Sequence, residues 1–449
     1  DELFAIQDAR FKSCLQRAWK IPFYQRLWGG KGIESGDIKG LADIIKLPTF
    51  SKTELMESVE LAPPLGDYHG LDSFDIAHGA DVPMPGADPA QEPGLWPMVL
   101  HTTSGTTGRP QPLPFGPRGR EIQNLLLGRA YTLQGIGGND RIHSVYGHGL
   151  INGGHYVREA VLHYTRAIFL SAGTGVETRS AQQVQLMKDF GVTAIVGFAD
   201  YIKKLADVAA ESGIVPGRDI PIRIISGHMG RESRDALAAS WGGCEVFDWY
   251  GVGDTGCIAA EGPDHAGLYV MEDAQYVEIG DIETDQPVAD GENGNLIVSC
   301  IYKDDIYPVI RFNTKDVSAI RTGLSPLGLN FKRIEGFLGR SDNMIKLRGI
   351  NIYPQGLAPV LEQEAAFGGE FICVAERDAK GRDELLVRVE VAAGRENDSH
   401  LAERFAGILK QHFGVQMQVM LEAPGTLAAL TGIESRQKPI RLIDKRHGK

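Results

Sequence analysis

Between about residues 180 and 251 the chain alternates helix-like and strand-like runs joined by short connections. SAQQVQLMKDFG, ADYIKKLADVAAESG and RESRDALAASWG carry apolar residues at helical spacing, whereas TAIVGF, IPIRIISG and CEVFDWYG are strand-like. This alternation predicts a parallel sheet with helices on its faces, an α/β architecture. Ligands of such sheets bind beyond the carboxyl ends of the strands. SGHMG (226–230) and YGVGDTG (250–256) stand at two such ends and are candidate site loops on that ground alone.

The rest of the chain adds other parts. Leu3, Ile6, Phe11, Leu15 and Ala18 have helical spacing. From about 266 to 335, runs such as LIVSC and YPVIRF predict a β-rich, more antiparallel part. After GRSDNMIKLRG, two strands joined by a DAKG turn are expected. A helix capped by Asp398 or Ser399 and a strand at VQMQVMLEA follow. The expected division is a large N-terminal domain (1–341) and a small α+β C-terminal lid (342–449), since 449 residues exceed what one core usually serves.

Composition narrows the function classes. A formal net charge of −12 argues against a general nucleic-acid binder. No run approaches the ~20 apolar residues of a membrane helix, and the acidic start DELFAIQDARFKSC lacks the order of a signal peptide. Five cysteines make no disulfide framework. A cytoplasmic protein without nucleic-acid or membrane partners is expected.

Thr102–Pro110, TTSGTTGRP, is the most informative stretch. Its glycines permit a tight turn presenting backbone N–H groups, and its hydroxyls and cation suit phosphate oxygens. A Ser/Thr/Gly-rich surface loop is the competing reading, at equal weight. YGVGDTG satisfies G-x-G-x-x-G, but CIAAEGPDHAG follows, where Pro263 and two glycines preclude the long helix a dinucleotide site needs.

TSGTTGRP, YGVGD, PVIRFNTKD, GRSDNMIKLRGINIYP and RQKPIRLID occur in the order found in the adenylate-forming superfamily, which the chain resembles over nearly its whole length. IPFYQRLW, KLPTFSKTEL and YGHGLINGG are similar to the phenylacetate–CoA ligase family within it. The resemblance implies an ATP-dependent, AMP-forming ligase for an aryl or arylacetic acid, using ATP, Mg²⁺ and coenzyme A. Transfer of the acyl group to a carrier protein or amine, and a non-catalytic nucleotide sensor, are the alternatives. A homodimer is compatible with the resemblance.

By position, the resemblance assigns Ser104, Gly105, Thr106, Thr107 and Gly108 to the ATP phosphates. It assigns Ser226, Gly227, His228, Tyr250 and Gly251 to adenine, and Asp316 to the ribose hydroxyls. Asp254 becomes the Mg²⁺ ligand, one methylene shorter than the family's glutamate, and Arg311 and Arg340 steady the nucleotide. Lys438 is the implied catalytic lysine and Asp342 the hinge, with Arg348, Gly349 and Ile350 serving the CoA step. Charge develops on the α-phosphate during attack, which is why cations are needed there.

Tyr146, His148, His155 and Phe198 are candidate acyl-pocket residues, with satisfied structural histidines the commoner case. Cys257, His265 and Cys300, with Cys244 nearby in sequence, are candidates for a structural zinc, although no CxxC pair supports it.

Overall fold

The computed structural model describes residues 2–70, 99–103, 110–230, 232–348, 350–377, 382–433 and 439–446. The chain gathers into two compact units that are not sequential blocks. One holds Asp1–Asn139, His148–Phe169 and Trp249–Gly336, and the other Asp140–Gly147, Leu170–Asp248 and Phe337–Lys449.

In the first unit the N-terminal pattern forms the helix Glu2–Ala18, burying Phe11, Cys14, Leu15 and Ala18. Pro22 opens a second helix, Pro22–Gly29, where a missing N–H costs nothing. The helix Lys52–Leu61 starts in a capping box: Ser51 Oγ accepts from Thr53 N, and Glu54 accepts from Ser51 N. The expected β-rich part is present. Gln275–Gly280, Gly294–Cys300 and Val309–Ser318 pair antiparallel, with shifts of register beside Ile297 and Cys300. Trp249–Val252 pairs antiparallel with Gly256–Ala260. The run after YGVGDTG is therefore a strand, not a helix, which removes the dinucleotide reading.

In the second unit the alternation folds as expected. Arg141–Ser144, Ala194–Phe198, Ile224–His228 and Glu245–Asp248 pair in parallel, in register at Ile142, Ala194, Ile224 and Glu245. The helix Ala199–Glu211 buries Ala199, Ile202, Leu205, Ala206 and Ala209, the stripe its spacing predicts. Ser226 and Gly227 lie within the strand, not in a loop after it. A Cβ on Gly227 would stand 1.8 Å from the Gly197 carbonyl oxygen, so the strand pairing itself demands glycine there.

The C-terminal part of this unit is α+β. Phe367–Arg377 and Asp383–Val391 pair antiparallel, flanked in parallel by Leu442–Asp444 and Gln418–Glu422. The DAKG turn lies outside the described residues. Asp398, not Ser399, caps the helix Ser399–Phe413 by accepting from Leu401 N. Gly414 closes it at φ 73°, a conformation that favours glycine. Leu401, Phe405 and Leu409 from this helix join Phe371, Val387 and Val389 in one buried core.

Candidate active site

Two strands of the first unit bring the best-defined site residues together. Tyr250, on Glu245–Val252, and Asp316, on Val309–Ser318, are both buried, and the phenol donates to Asp316 Oδ2 at 2.7 Å. Asp316 N donates to Thr314 Oγ1 (3.1 Å), fixing the backbone beside a left-handed Lys315 (φ 59°). Arg311, on the same strand, is committed elsewhere. Its guanidinium donates to both Glu278 oxygens (3.1 and 3.0 Å) and to the carbonyls of Ile45 and Leu47. Gly251 needs to be glycine for local reasons, since a Cβ would meet Gly256 O at 2.3 Å.

Asp254 is buried in the turn after Val252. Gln111 Nε2 (2.7 Å) and Tyr307 OH (2.8 Å) both donate to its Oδ1, and Oδ2 accepts no hydrogen bond among the described residues. Burial first, then the Asp254 charge, pushes the Tyr307 phenol well up, so it remains a donor. The fully buried Lys303 donates to the Asp254 carbonyl (2.9 Å), with its ammonium 4.2 Å from the Tyr307 ring centre. Burial pushes that ammonium down from its usual range, against the opposing pull of Cys300, Asp305 and Asp254. Gln111 also closes the stem of the 102–110 stretch, its carbonyl accepting from Thr103 N at 3.1 Å.

Of the histidines in this unit, His155 Nε2 lies 2.9 Å from the carbonyls of His148 and Gly149, and its ring stacks on His101 at 4.9 Å. Burial, and then the Arg120 and His155 charges, push His101 down to about 4. His155 thus has the bonding of a structural histidine, and His148 lends it a backbone carbonyl. Cys257, His265 and Cys300 are not brought together as zinc ligands. Among the described residues no group of three or more His, Cys, Asp or Glu could hold a metal ion. Burial pushes the Cys300 thiol up to about 12, and His265 faces Glu261 at 3.4 Å.

In the second unit, Tyr146, Phe198 and His228 form one aromatic cluster. Phe198 stacks on His228 (4.9 Å, 27° between planes), and Tyr146 meets Phe198 edge-on at 5.2 Å. His228, assigned by position to adenine, therefore shares its surroundings with two acyl-pocket candidates. Arg340 is bidentate to Asp342 (2.8 and 2.5 Å), and Arg348 pairs with Glu384 (2.7 Å). Ile350 begins the strand Ile350–Ile352, which turns back on Ile345–Leu347.

Residues 349–446 match the family model for the C-terminal domain of AMP-binding enzymes. The chain is 25% identical over 464 residues to the phenylacetate–coenzyme A ligase of Aromatoleum evansii, covering 99% of this chain and 95% of that one. It is 26% identical over 469 residues to the ligase of the same name from Escherichia coli (strain K12), covering 100% and 96%. A solved 2-hydroxyisobutyryl-CoA ligase, in the postadenylation state with R3-HIB-AMP, matches at TM-score 0.82 and 26% identity, over 99% of this chain and 89% of that one. The same ligase with 2-HIB-AMP and CoA, in the thioesterification state, matches at 0.66 and 27%, over 98% and 89%. Over nearly its whole length the chain is thus similar to adenylate-forming acid–CoA ligases.

The Mg²⁺ that this family implies is suited by what surrounds Asp254. A hard cation takes oxygen ligands, and this carboxylate is anchored through one oxygen while the other accepts nothing among the described residues. Ser104 to Gly108, Gly349 and Lys438 lie outside the described residues. The anchors Gln111, Tyr307 and Lys303 escaped the sequence reading. They stand 143, 53 and 49 positions from Asp254, and only the folded chain brings them close. The weak signal available was polarity, since a lysine and a tyrosine interrupt the apolar run CIYKDDIYPVI.

Proposed function

We propose that the chain is an ATP-dependent acid–CoA ligase that converts an aryl or arylacetic acid to its acyl-CoA thioester through an acyl-AMP. The observation that carries this reading is the buried Tyr250–Asp316 pair, an aromatic face coupled to a carboxylate. It occurs in a chain similar from end to end to phenylacetate–CoA ligases.

In the first half-reaction a carboxylate oxygen of the acid attacks the α-phosphorus of ATP. The bond from that phosphorus to the oxygen bridging to the β-phosphate breaks, and pyrophosphate leaves. Tyr250 stacks on adenine, and Asp316 accepts from the ribose hydroxyls, which only an acceptor-rich group can do for both. By motif position alone, Ser104 to Gly108 serve the outer phosphates, and Ser226, Gly227 and Arg340 serve the nucleotide. Arg311, bonded to Glu278, braces the strand that carries Asp316. Asp254, anchored by Gln111 and Tyr307, would hold the Mg²⁺, and the ion would offset phosphate charge. Lys438 offsets the charge gathering at the α-phosphate.

In the second half-reaction the thiol sulfur attacks the acyl carbon, the thiol proton is lost, and AMP leaves with the electrons of the broken C–O bond. The solved relative takes both a postadenylation and a thioesterification state. The same change here moves a lid of residues 342–449 about Asp342 and offers Arg348, Gly349 and Ile350 to the thiol. Tyr146, Phe198 and His228 form an aromatic wall that supports an aromatic acid as substrate. Among the described residues no helix is long and apolar enough to cross a membrane, in keeping with a cytoplasmic enzyme.

A panel of aromatic acids with ATP, assayed for pyrophosphate and for CoA thioester, tests the reading. Acid-dependent pyrophosphate with equal thioester is expected. Pyrophosphate without CoA consumption would move the acceptor to another thiol or an amine.

A further inference from the structure

Within the second unit, the C-terminal strands meet the helix Ala199–Glu211 through two charged groupings. Arg441, directly before the strand Leu442–Asp444, is only 7% exposed. Its guanidinium donates to Asp200 Oδ1 (2.7 Å), Glu370 Oε1 (2.8 Å) and the Phe371 carbonyl (2.9 Å), and lies over the Phe371 ring. Along the same helix, Lys203 pairs with Glu232 (3.5 Å) and with Glu362. Arg441 and Lys203 thus face four carboxylates, namely Asp200, Glu232, Glu362 and Glu370, and Lys204 on the same helix also feels the Glu370 charge. Burial is the first cause pushing both Glu232 and Glu370 up.

Such sets are poor stabilisers. Desolvation offsets most of the attraction, and apolar side chains of the same volume would often hold the parts together as well. What an ion pair adds is a single permitted arrangement, because shifting one partner leaves a buried charge unpaired. Sequence places this arrangement near the chemistry from both sides. Asp200 follows the pocket residue Phe198 by two positions, and Arg441 belongs to the RQKPIRLID stretch that carries Lys438.

We propose that Asp200 and Arg441 are positioning residues for adenylation, their ion pair holding the strand Leu442–Asp444 to the helix Ala199–Glu211 in the arrangement used by the first half-reaction and not the second. This rests on the ligase reading above. If the C-terminal part must change its arrangement for the CoA step, the pair is made in one step and released in the other. A contact that served the fold alone would affect both steps alike.

The test measures the half-reactions separately in the full-length protein. Adenylation is followed by acid-dependent ATP–pyrophosphate exchange, and thioester formation by supplying presynthesised acyl-AMP with CoA. Asp200→Asn keeps the side-chain shape and removes the charge, and Arg441→Gln removes the cation. Each is expected to slow adenylation by about tenfold or more, the equivalent of one lost charged contact. The thioester step should stay within about twofold of the parent or run faster, since leaving the first arrangement becomes easier. Equal loss in both steps, or no loss in either, in a variant that stays folded at the assay temperature would overturn the proposal. Should Arg441→Gln fail to fold, Asp200→Asn decides, as its side chain is one-quarter exposed. A parent protein that performs neither half-reaction would instead sink the ligase reading, so the two failures are distinct.

Discussion

Asp254 in one unit, and Asp200 and Glu370 in the other, are shielded carboxylates whose partners differ in kind. The first receives neutral donors, the Gln111 amide and the Tyr307 phenol. The other two receive the guanidinium of Arg441. A neutral donor orients a carboxylate without cancelling its charge, whereas a guanidinium does both. Even the fully buried Lys303 bonds to the Asp254 backbone carbonyl and not to its carboxylate. Leaving charge unpaired in a shielded place is costly unless a ligand completes it. The contrast separates carboxylates kept for ligands from carboxylates kept for arrangement.

Substitutions can break that contrast in either direction. The largest effect on turnover is expected at Asp254. Asp254→Asn can still accept from Gln111 and Tyr307, so the melting temperature should hold while adenylation falls roughly 10²–10³-fold. Parallel calorimetry and pyrophosphate assays check this, and a large loss of stability would place Asp254 with the structural carboxylates. Arg441→Gln should do the reverse to the fold. It leaves Asp200 and Glu370 without their cation and costs about 3 kcal/mol in urea unfolding, the scale for breaking a buried pair.

Tyr250→Phe sharpens the contrast on a smaller scale. It removes one hydrogen bond to a charged acceptor and keeps the ring, so the KM for ATP should rise about tenfold, near 1.5 kcal/mol, with kcat little changed. The smallest effect concerns pH. Glu232 is pushed up by burial first, then by Asp200 and Glu362, and pulled down by Lys203 and Arg441. Its proton is therefore held more tightly in the folded chain than in the unfolded one. That contribution to stability is present at low pH and lost as pH rises through the raised value. Glu232→Gln should lose less melting temperature than the parent between about pH 5 and 9, by roughly 2–4 °C. Identical slopes would show that Glu232 does not titrate in that range.

Much of this was legible because it is local. Periodicity showed the helix Ala199–Glu211 and the strands beside it, and β-branched runs marked the antiparallel strands around Ile297 and Val309. Asp398 and Ser399 announced a helix start because capping is decided within one turn, and the structure makes Asp398 the cap. Motif order placed Tyr250 and Asp316, which the fold joins by a hydrogen bond across 66 positions. Other relations were closed to a linear reading. The strand Arg141–Ser144 belongs with residues far downstream, so the compact units do not follow the sequential boundary at 341. His228 joins Tyr146 and Phe198 because parallel strands align their ends, a consequence of register. The cysteines Cys257 and Cys300 offered zinc ligands by type, and each is buried away from such a grouping.

The central claim is that an acid is adenylated here and then handed to CoA. The direct measurement mixes the full-length protein with ATP, Mg²⁺ and an aromatic acid, with and without CoA, and follows pyrophosphate and thioester together by mass spectrometry. The account predicts an enzyme-bound acyl-AMP with one burst of pyrophosphate when CoA is absent, and matched turnover to thioester when it is added. No acid-dependent pyrophosphate from any aromatic acid would contradict it.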